Sequence, residues 1–264
     1  MSATLDFAVG TRRTQEQVIG IPVDVLTWAD TISRIFDWAQ RRESRTVCVC
    51  DVHSVVHALR DITRADSLRS SDLATPDGAP VAWMIRRKGH LAQERINGPD
   101  LMWACCQKAA ETGTSIFLYG TTPSTLQRLE RRLREAFPSL NVAGAISPPF
   151  RALSLEEDAA IVESINRSGA QIVWVGLGCP KQEAWMQAHR GEVKAVMVGV
   201  GAALDFHAGV VKRAPIWMQR NGLEWFHRVL QDPRRLAKRY LISNAMFIAA
   251  CCGARWSAGQ ASDS

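Results

Sequence analysis

Three apolar runs, "SIFLYG" (115–120), "QIVWVGLG" (171–178) and "KAVMVGVG" (194–201), each close on glycine and are separated by stretches of helical length. Runs that are apolar at nearly every position belong to strands covered on both faces, and such strands alternating with helices make parallel β-α-β units. "RTVCVCD" (45–51) and "NVAGAI" (141–146) extend the series. The intervening segments carry helix signals. A helix-like stretch runs from Val25 to Arg41, Thr122 and Pro123 suit the N-cap and first position of a helix, Ser154 and Glu157 have capping-box spacing ahead of a helix to Asn166, and another helix starts at Pro180.

The expectation is an α/β fold, a Rossmann-like parallel sheet with helices on both faces, plus a C-terminal basic amphipathic helical appendage. With 264 residues, 47% of them hydrophobic, the chain can bury a sizeable core. Its expected organisation is a flexible N-terminal segment (1–18), an α/β core (19–211), the helical appendage (212–256) and a polar tail (257–264). "MSATLDFAVGTRRTQEQ" lacks the apolar run of a signal peptide, and no run of 18 apolar residues occurs, which predicts a cytoplasmic protein without a membrane span. The seven cysteines form no C-x-x-C pair, so reduced thiols filling core are expected rather than a disulfide framework or a zinc site.

In sheets of this kind ligands sit beyond the carboxyl ends of the strands. "LYGTTPS", "VGLGCPKQE" and "VGVGAALDF" place Gly120, Gly176 and Gly178, and Gly199 and Gly201, at such ends, where backbone N–H groups can approach a phosphate and helix N-termini supply partial positive charge. Each glycine is equally compatible with a plain turn. Lys181 and Leu204 stand where G-x-G-x-x-G needs its third glycine, which disfavours a nicotinamide oxidoreductase, and G-x-x-x-x-G-K-[ST] is missing too. No D-x-D triplet is available to hold a divalent ion, so arginine, lysine and backbone amides are expected to neutralise any bound diphosphate, with no metal and no cofactor.

The segment 72–101 crowds polar groups into apolar surroundings. Asp77 sits in a Pro-Asp-Gly turn, where an aspartate either bonds its own backbone or serves chemistry, and Arg95 and Asn97 in "ERING" and Asp100 in "GPDL" follow. His53 and His57 are four apart on a predicted helix, but Ser54 occupies the place of the glutamate in H-E-x-x-H and no third ligand is evident, so packing or acceptor contact is the favoured reading. Asp205 and His207 in "LDFHAG" either line a nucleotide pocket or cap a turn, and Lys181 flanks Gln182 at a helix start.

The net charge of +6 is unevenly placed: Lys212 to Arg239 holds eight basic and two acidic residues, and the rest of the chain balances. An anionic partner met by that segment is implied. A nucleic-acid-binding module fits the charge, but no helix-turn-helix, RNP or zinc-finger signature accompanies it.

"TPDGAPVAW", "ERINGPDL", "VGLGCPKQEAWM", "GVGAALDFHAG", "KRAPIWMQRNGLEWFHRV" and "DPRRLAKRY" together resemble the WecG/TagA/CpsF family of bacterial glycosyltransferases, in unbroken order from about Ile19 to Tyr240. The resemblance implies transfer of a hexosyl group from a UDP-sugar to a polyprenyl-diphosphate-linked saccharide at the cytoplasmic face of the membrane, in exopolysaccharide or other cell-surface polysaccharide synthesis. It leaves the sugar open among glucose, N-acetylmannosamine and its uronic acid. By resemblance Asp77 matches a proposed general base, Arg95 an arginine suited to a leaving diphosphate, and Gln182 a nucleotide or sugar contact. Asp51 stands where many relatives carry Asn, and Val49 lies where a threonine is usual, which implies a different acceptor subsite.

Asp232 and Pro233 suit a helix start; on the wheel that follows, Arg234, Arg235, Lys238 and Arg239 fall on one side and Leu236, Ala237, Tyr240 and Leu241 on the other. Such a helix, followed by the short apolar "LISNAMFIAACC", suits an anionic membrane surface, with Trp217, Trp225 and Phe226 at the headgroup boundary; a helix docked on the core with a solvated basic face is the alternative. In relatives such an appendage is thought to close over the active site, and by that resemblance Arg213, Arg220 and Arg228 would clamp a diphosphate. Peripheral attachment to the inner face of the membrane is expected, nucleic acid is not, and homo-oligomerisation is compatible with all of these features.

Overall fold

A computed structural model of the chain describes residues 13–260. It opens with β1 (Gln15–Val18) and β2 (Ile21–Asp24), followed by α1 (Trp28–Gln40), β3 (Arg45–Cys50), α2 (Val52–Arg60), α3 (Ile62–Arg69), β4 (Leu73–Pro76), α4 (Ala79–Arg87) and α5 (Gly98–Thr112). The second half holds β5 (Ile116–Gly120), α6 (Pro123–Ala136), β6 (Val142–Ile146), α7 (Leu155–Ser168), β7 (Ile172–Gly176), α8 (Lys181–Ala188), β8 (Val196–Gly199) and α9 (Ala203–His207). Three helices end the described chain: α10 (Ile216–Arg220), α11 (Glu224–Gln231) and α12 (Pro233–Gln260).

Six strands form one parallel sheet in the order β4-β3-β8-β7-β5-β6. The strands alternate between two cores. Val47, Ile116, Leu118, Trp174 and Val198 face a layer built from α1, α5, α6 and α9, whereas Cys48, Phe117, Tyr119, Val173 and Met197 face α2, α3, α4, α7 and α8. Both faces are covered, as the continuous apolar runs require. The helix starts expected at Thr122 and Ser154 are present, the latter as a full capping box. Cys48, Cys50, Cys105 and Cys106 are buried in these cores as free thiols, Cys179 and Cys251 are half-buried and Cys252 is exposed.

The hairpin of β1 and β2 lies partly within the stretch 1–18 that the sequence reads as a loose leader; residues 1–12 of that stretch fall outside the described ones. Positive φ at Ile19 (50°) and Gly20 (77°) gives the two-residue turn the twist a hairpin needs. Asp24 ties the hairpin to the sheet: it takes Arg13 at 2.6 and 2.8 Å and the Ala74 amide at 2.6 Å. Of the polar tail expected over 257–264, residues 261–264 also lie outside the described chain, and α12 runs on through Gln260.

α12 is one continuous helix rather than a basic helix followed by a separate apolar piece. It packs on α2 and α11, burying Leu236, Ser243 and Phe247 on its inner stripe. His53 Nδ1 meets Ser243 Oγ at 3.0 Å in this contact, so the histidine is used in helix packing. Leu241, Ile242 and Ile248 face outward. Among the described residues no helix is long and apolar enough to cross a membrane.

Candidate functional site

A cleft of about 1100 Å³ opens over the carboxyl ends of the central strands and is roofed by the C-terminal helices. Its wall includes Asp51 after β3, Asp77 after β4, Thr121 and Thr122 after β5, Gly176 at the end of β7 with Gly178 beyond it, and Gly199 at the end of β8 with Val200 to Ala202 beyond it. α11 and α12 close it with Arg228, Leu236 and Arg239.

Asp77 is held in place from three directions. Its amide donates to the Cys50 carbonyl at 3.0 Å, pinning the turn to the tip of β3, and the Ile96 amide donates to Pro76 at 2.9 Å. From the loop before α5, Arg95 donates through Nε to the Asp77 carbonyl and through Nη2 to Oδ1 at 3.2 Å. Oδ2 has no hydrogen-bond partner among the described residues. Burial pushes the Asp77 carboxyl up to about 6, against the pull of Arg95 and with help from Asp51 and Glu224. Asp51, on the same wall, caps α2: its Oδ1 accepts the Ser54 amide at 2.8 Å and the Ser54 hydroxyl at 2.7 Å.

Arg95 is not in the cleft wall. Its outer nitrogen is shared with Glu224 of α11, whose other oxygen accepts Arg213 Nε at 3.2 Å. Arg213 then binds Asp100, with Nη2 to Oδ2 at 2.9 Å, and Asn97 caps α5 by accepting the Asp100 amide at 2.9 Å. Burial opposes ionisation of Asp100, but hydrogen bonds from Arg213 and Asn97 outweigh it and hold its carboxyl below the ordinary value. The structure thus brings Asp77, Arg95, Asn97, Asp100 and Arg213 together as an ion-pair chain, in which the two arginines are engaged with protein carboxylates. Arg220 is exposed, and it does not line the cleft.

The other half of the cleft is shaped by backbone. Gly120 (φ +130°) packs so closely on β7 that a Cβ there would lie 2.5 Å from the Gly176 carbonyl oxygen. Both are packing glycines, and Gly120 itself does not line the cleft. Gly178 differs: its φ is +79° and nothing lies within 4 Å of where a Cβ would be. Thr121 donates to Asp205 Oδ1 at 2.7 Å, fixing the rim between β5 and α9.

At the start of α8, Gln182 is buried; its amide nitrogen donates to Glu183 Oε1 at 3.0 Å and its Oε1 has no protein partner. Burial raises the Glu183 carboxyl, and its Oε2 is likewise unpartnered. Phe150 overhangs this end with 82% of its surface exposed, between anchors at Ser147, which donates to Thr121 O at 2.6 Å, and Arg151, which meets Glu157 at 2.7 and 2.6 Å.

Four cations reach the cleft without a salt bridge to a described carboxylate: Lys181, Lys212, Arg228 and Arg239. The helical wheel groups Arg239 with the solvent-facing cations, but docking of α12 through Leu236 turns it into the cleft. Lys212 and Arg239 carried no local signal of their own, since only the fold-back of α11 and α12 puts them there. Among the described residues no group of three or more His, Cys, Asp or Glu is placed to hold a metal ion.

The helices over the site also present apolar side chains to solvent. Ile216, Trp217, Trp225, Phe226 and Leu230 are exposed on α10 and α11, in line with Leu241 and Ile248 on α12 as outward-facing residues. The model of the Glycosyl transferase WecG/TagA/CpsF family matches residues 16–261, nearly the whole chain.

Proposed function

The chain belongs to the WecG/TagA/CpsF family of glycosyl transferases, and from that premise we propose an inverting transfer of a hexosyl group from a UDP-sugar to a polyprenyl-diphosphate-linked saccharide. The observation that carries this reading is the pairing, in one cleft, of a carboxylate at the tip of β4 with four cations that no described acid neutralises.

Asp77 is the general base. Its unpartnered Oδ2 accepts the proton of the acceptor hydroxyl as that oxygen bonds to the anomeric carbon, and the bond from that carbon to the diphosphate breaks with its electron pair leaving on UDP. A carboxyl poised near 6 is ionised at neutral pH yet basic enough to take the proton, a contribution of roughly 10²- to 10⁴-fold. Lys181, Lys212, Arg228 and Arg239 meet the charge that develops on the diphosphate. These cations replace a divalent ion, so turnover persists in chelator. Arg95 acts behind Asp77 rather than on the leaving group.

The outward apolar side chains of α10, α11 and α12 bring the enzyme to an anionic membrane surface, where the lipid-linked acceptor resides. α11 and α12 contribute both cations to the cleft and apolar side chains to the outward surface, which supports an acceptor whose diphosphate meets the cations while its lipid stays in the membrane.

The test is a panel of UDP-sugars with a short-chain lipid-diphosphate saccharide acceptor, with product mass and anomeric configuration read out. One donor giving product of inverted configuration is expected. Retained configuration, or no transfer from any UDP-sugar, overturns the reading.

A further inference from the structure

The ion-pair chain behind Asp77 runs into α11, which contributes nothing to the sheet. We propose that Glu224, reaching in from α11, is a positioning residue that fixes Arg95 against Asp77 and so sets the orientation and charge balance of the base. This rests on the reading of Asp77 as general base.

Both oxygens of Glu224 are committed: Oε2 to Arg95 and Oε1 to Arg213 Nε at 3.2 Å. Its side chain is only 16% exposed, so it is a half-buried counter-charge rather than a fully exposed surface ion pair. Arg213 is in turn fixed by Asp100, at the first turn of α5, so the Glu224 carboxylate is clamped between two guanidinium groups. An arginine side chain is long and flexible, and without this clamp only its contacts with Asp77 would hold the Arg95 fork. With it, Nε aims at the Asp77 carbonyl and Nη2 at Oδ1, which leaves Oδ2 without a described partner on a residue that lines the cleft.

Charge follows the same geometry. Two guanidinium groups face three carboxylates, Asp77, Glu224 and Asp100. Asp51, the N-cap of α2, and Tyr240 from α12 are the other titratable groups acting with Asp77, and Asp51 adds a further negative charge. Burial is the main reason the protonated form of Asp77 is favoured, Arg95 opposes it, and the negative charges of Asp51 and Glu224 add to it. Removing the Glu224 charge leaves Arg95 and Arg213 balanced by Asp77 and Asp100, so Asp77 ionises more readily.

The experiment measures kcat, KM for the sugar donor and the pH dependence of kcat/KM for the full-length enzyme and for Glu224→Gln, with Asp77→Asn alongside. In Glu224→Gln the acid limb is expected to move about half to one pH unit lower, from the lost charge alone. At pH 8 its kcat should fall about tenfold as Arg95 loses its fixed orientation, while the donor KM stays within about twofold. Glu224→Asp keeps the charge but withdraws the carboxylate by one methylene; it should move the limb the same way by less, and it provides the readout if Glu224→Gln does not fold. A slower enzyme whose acid limb stays in place would mean a merely structural role and overturn the proposal. If Asp77→Asn is inactive and the limb does not move, only the role of Glu224 falls; if Asp77→Asn keeps full turnover, the base reading itself fails.

Discussion

Arg95 grips Asp77 twice, donating to its backbone carbonyl and, through Nη2, to Oδ1 at 3.2 Å, so turn and carboxylate move as one unit. Burial nevertheless keeps the carboxyl up at about 6. The active form is the carboxylate, so kcat/KM should be level above pH 7 and fall tenfold per unit below about 6. Asp77→Asn should lower turnover at least about a hundredfold while UDP binding, read by calorimetry, stays near that of the wild type. Wild-type turnover in this variant would remove Asp77 from the mechanism.

The same raised value has a consequence for stability. The folded-state pKa of about 6 lies above the ordinary 3.8, so the folded form binds more protons between those values and stability falls as pH rises through that window. Above it the folded protein carries an unfavourable buried charge. Asp77→Asn removes that cost and is expected to be more stable than wild type at pH 7.5, by about 1–3 kcal/mol, and to lose the advantage near pH 4. Denaturant unfolding at the two pH values checks this, and equal stability at both would refute it.

The sheet was legible in the sequence because each central strand is buried on both faces and therefore apolar throughout: Ile172 to Val175 and Val196 to Val198 could be little else. β4 was not, since "LATP" is four residues long and ends in proline; its place is set by pairing with β3 from Val47 to Cys50. The β1–β2 hairpin was hidden because β1 is polar, Gln-Glu-Gln-Val, and β2 is only four residues long and carries a proline. Within the cleft, Gly176 and Gly178 could be found by position at a strand end, whereas Asp77, with no recognised strand before it, was legible as a turn aspartate in a polar cluster and, like Asp51, by family resemblance. Glu224 and Arg239 could not, because their contacts depend on how α11 and α12 fold back: Glu224 lies 129 residues from Arg95 in the chain. The same pairing explains why Arg95 and Arg213, legible as cations, are spent on carboxylates.

Gly120 and Gly178 should respond differently to alanine. At Gly120 the positive φ and the 2.5 Å approach to Gly176 O act together, so Gly120→Ala should destabilise by about 2 kcal/mol or more, read as a melting temperature lower by several degrees. Gly178→Ala meets only the backbone penalty, about 1 kcal/mol, because its Cβ enters open space in the cleft. Its larger effect is expected on the donor KM. A donor KM unchanged in Gly178→Ala would separate that glycine from the binding surface.

If the four cations without a described carboxylate partner hold the diphosphate, Arg228→Gln and Arg239→Gln should each raise the donor KM about tenfold and weaken UDP binding in parallel. Binding to the wild type should weaken as salt rises, less steeply in each variant. Chelator should leave both rate and affinity unchanged. Chelator-sensitive turnover restored by a divalent ion would show that these cations do not do the job alone.

The outward residues of α10 to α12 give the membrane reading its test. Trp217 is 60% exposed and Leu241 74%, and burying such side chains at a headgroup boundary yields roughly 1.5–3 kcal/mol each when complete. Nearby cations add about 1 kcal/mol apiece on an anionic surface. The double variant Trp217→Ser, Leu241→Ser leaves the cleft and its ion-pair chain untouched. It should therefore sediment with vesicles containing phosphatidylglycerol at least tenfold less well than wild type, with unchanged turnover on a detergent-dispersed, short-chain acceptor and reduced turnover on the vesicle-embedded one. Sedimentation equal to wild type would mean that these helices meet something other than lipid.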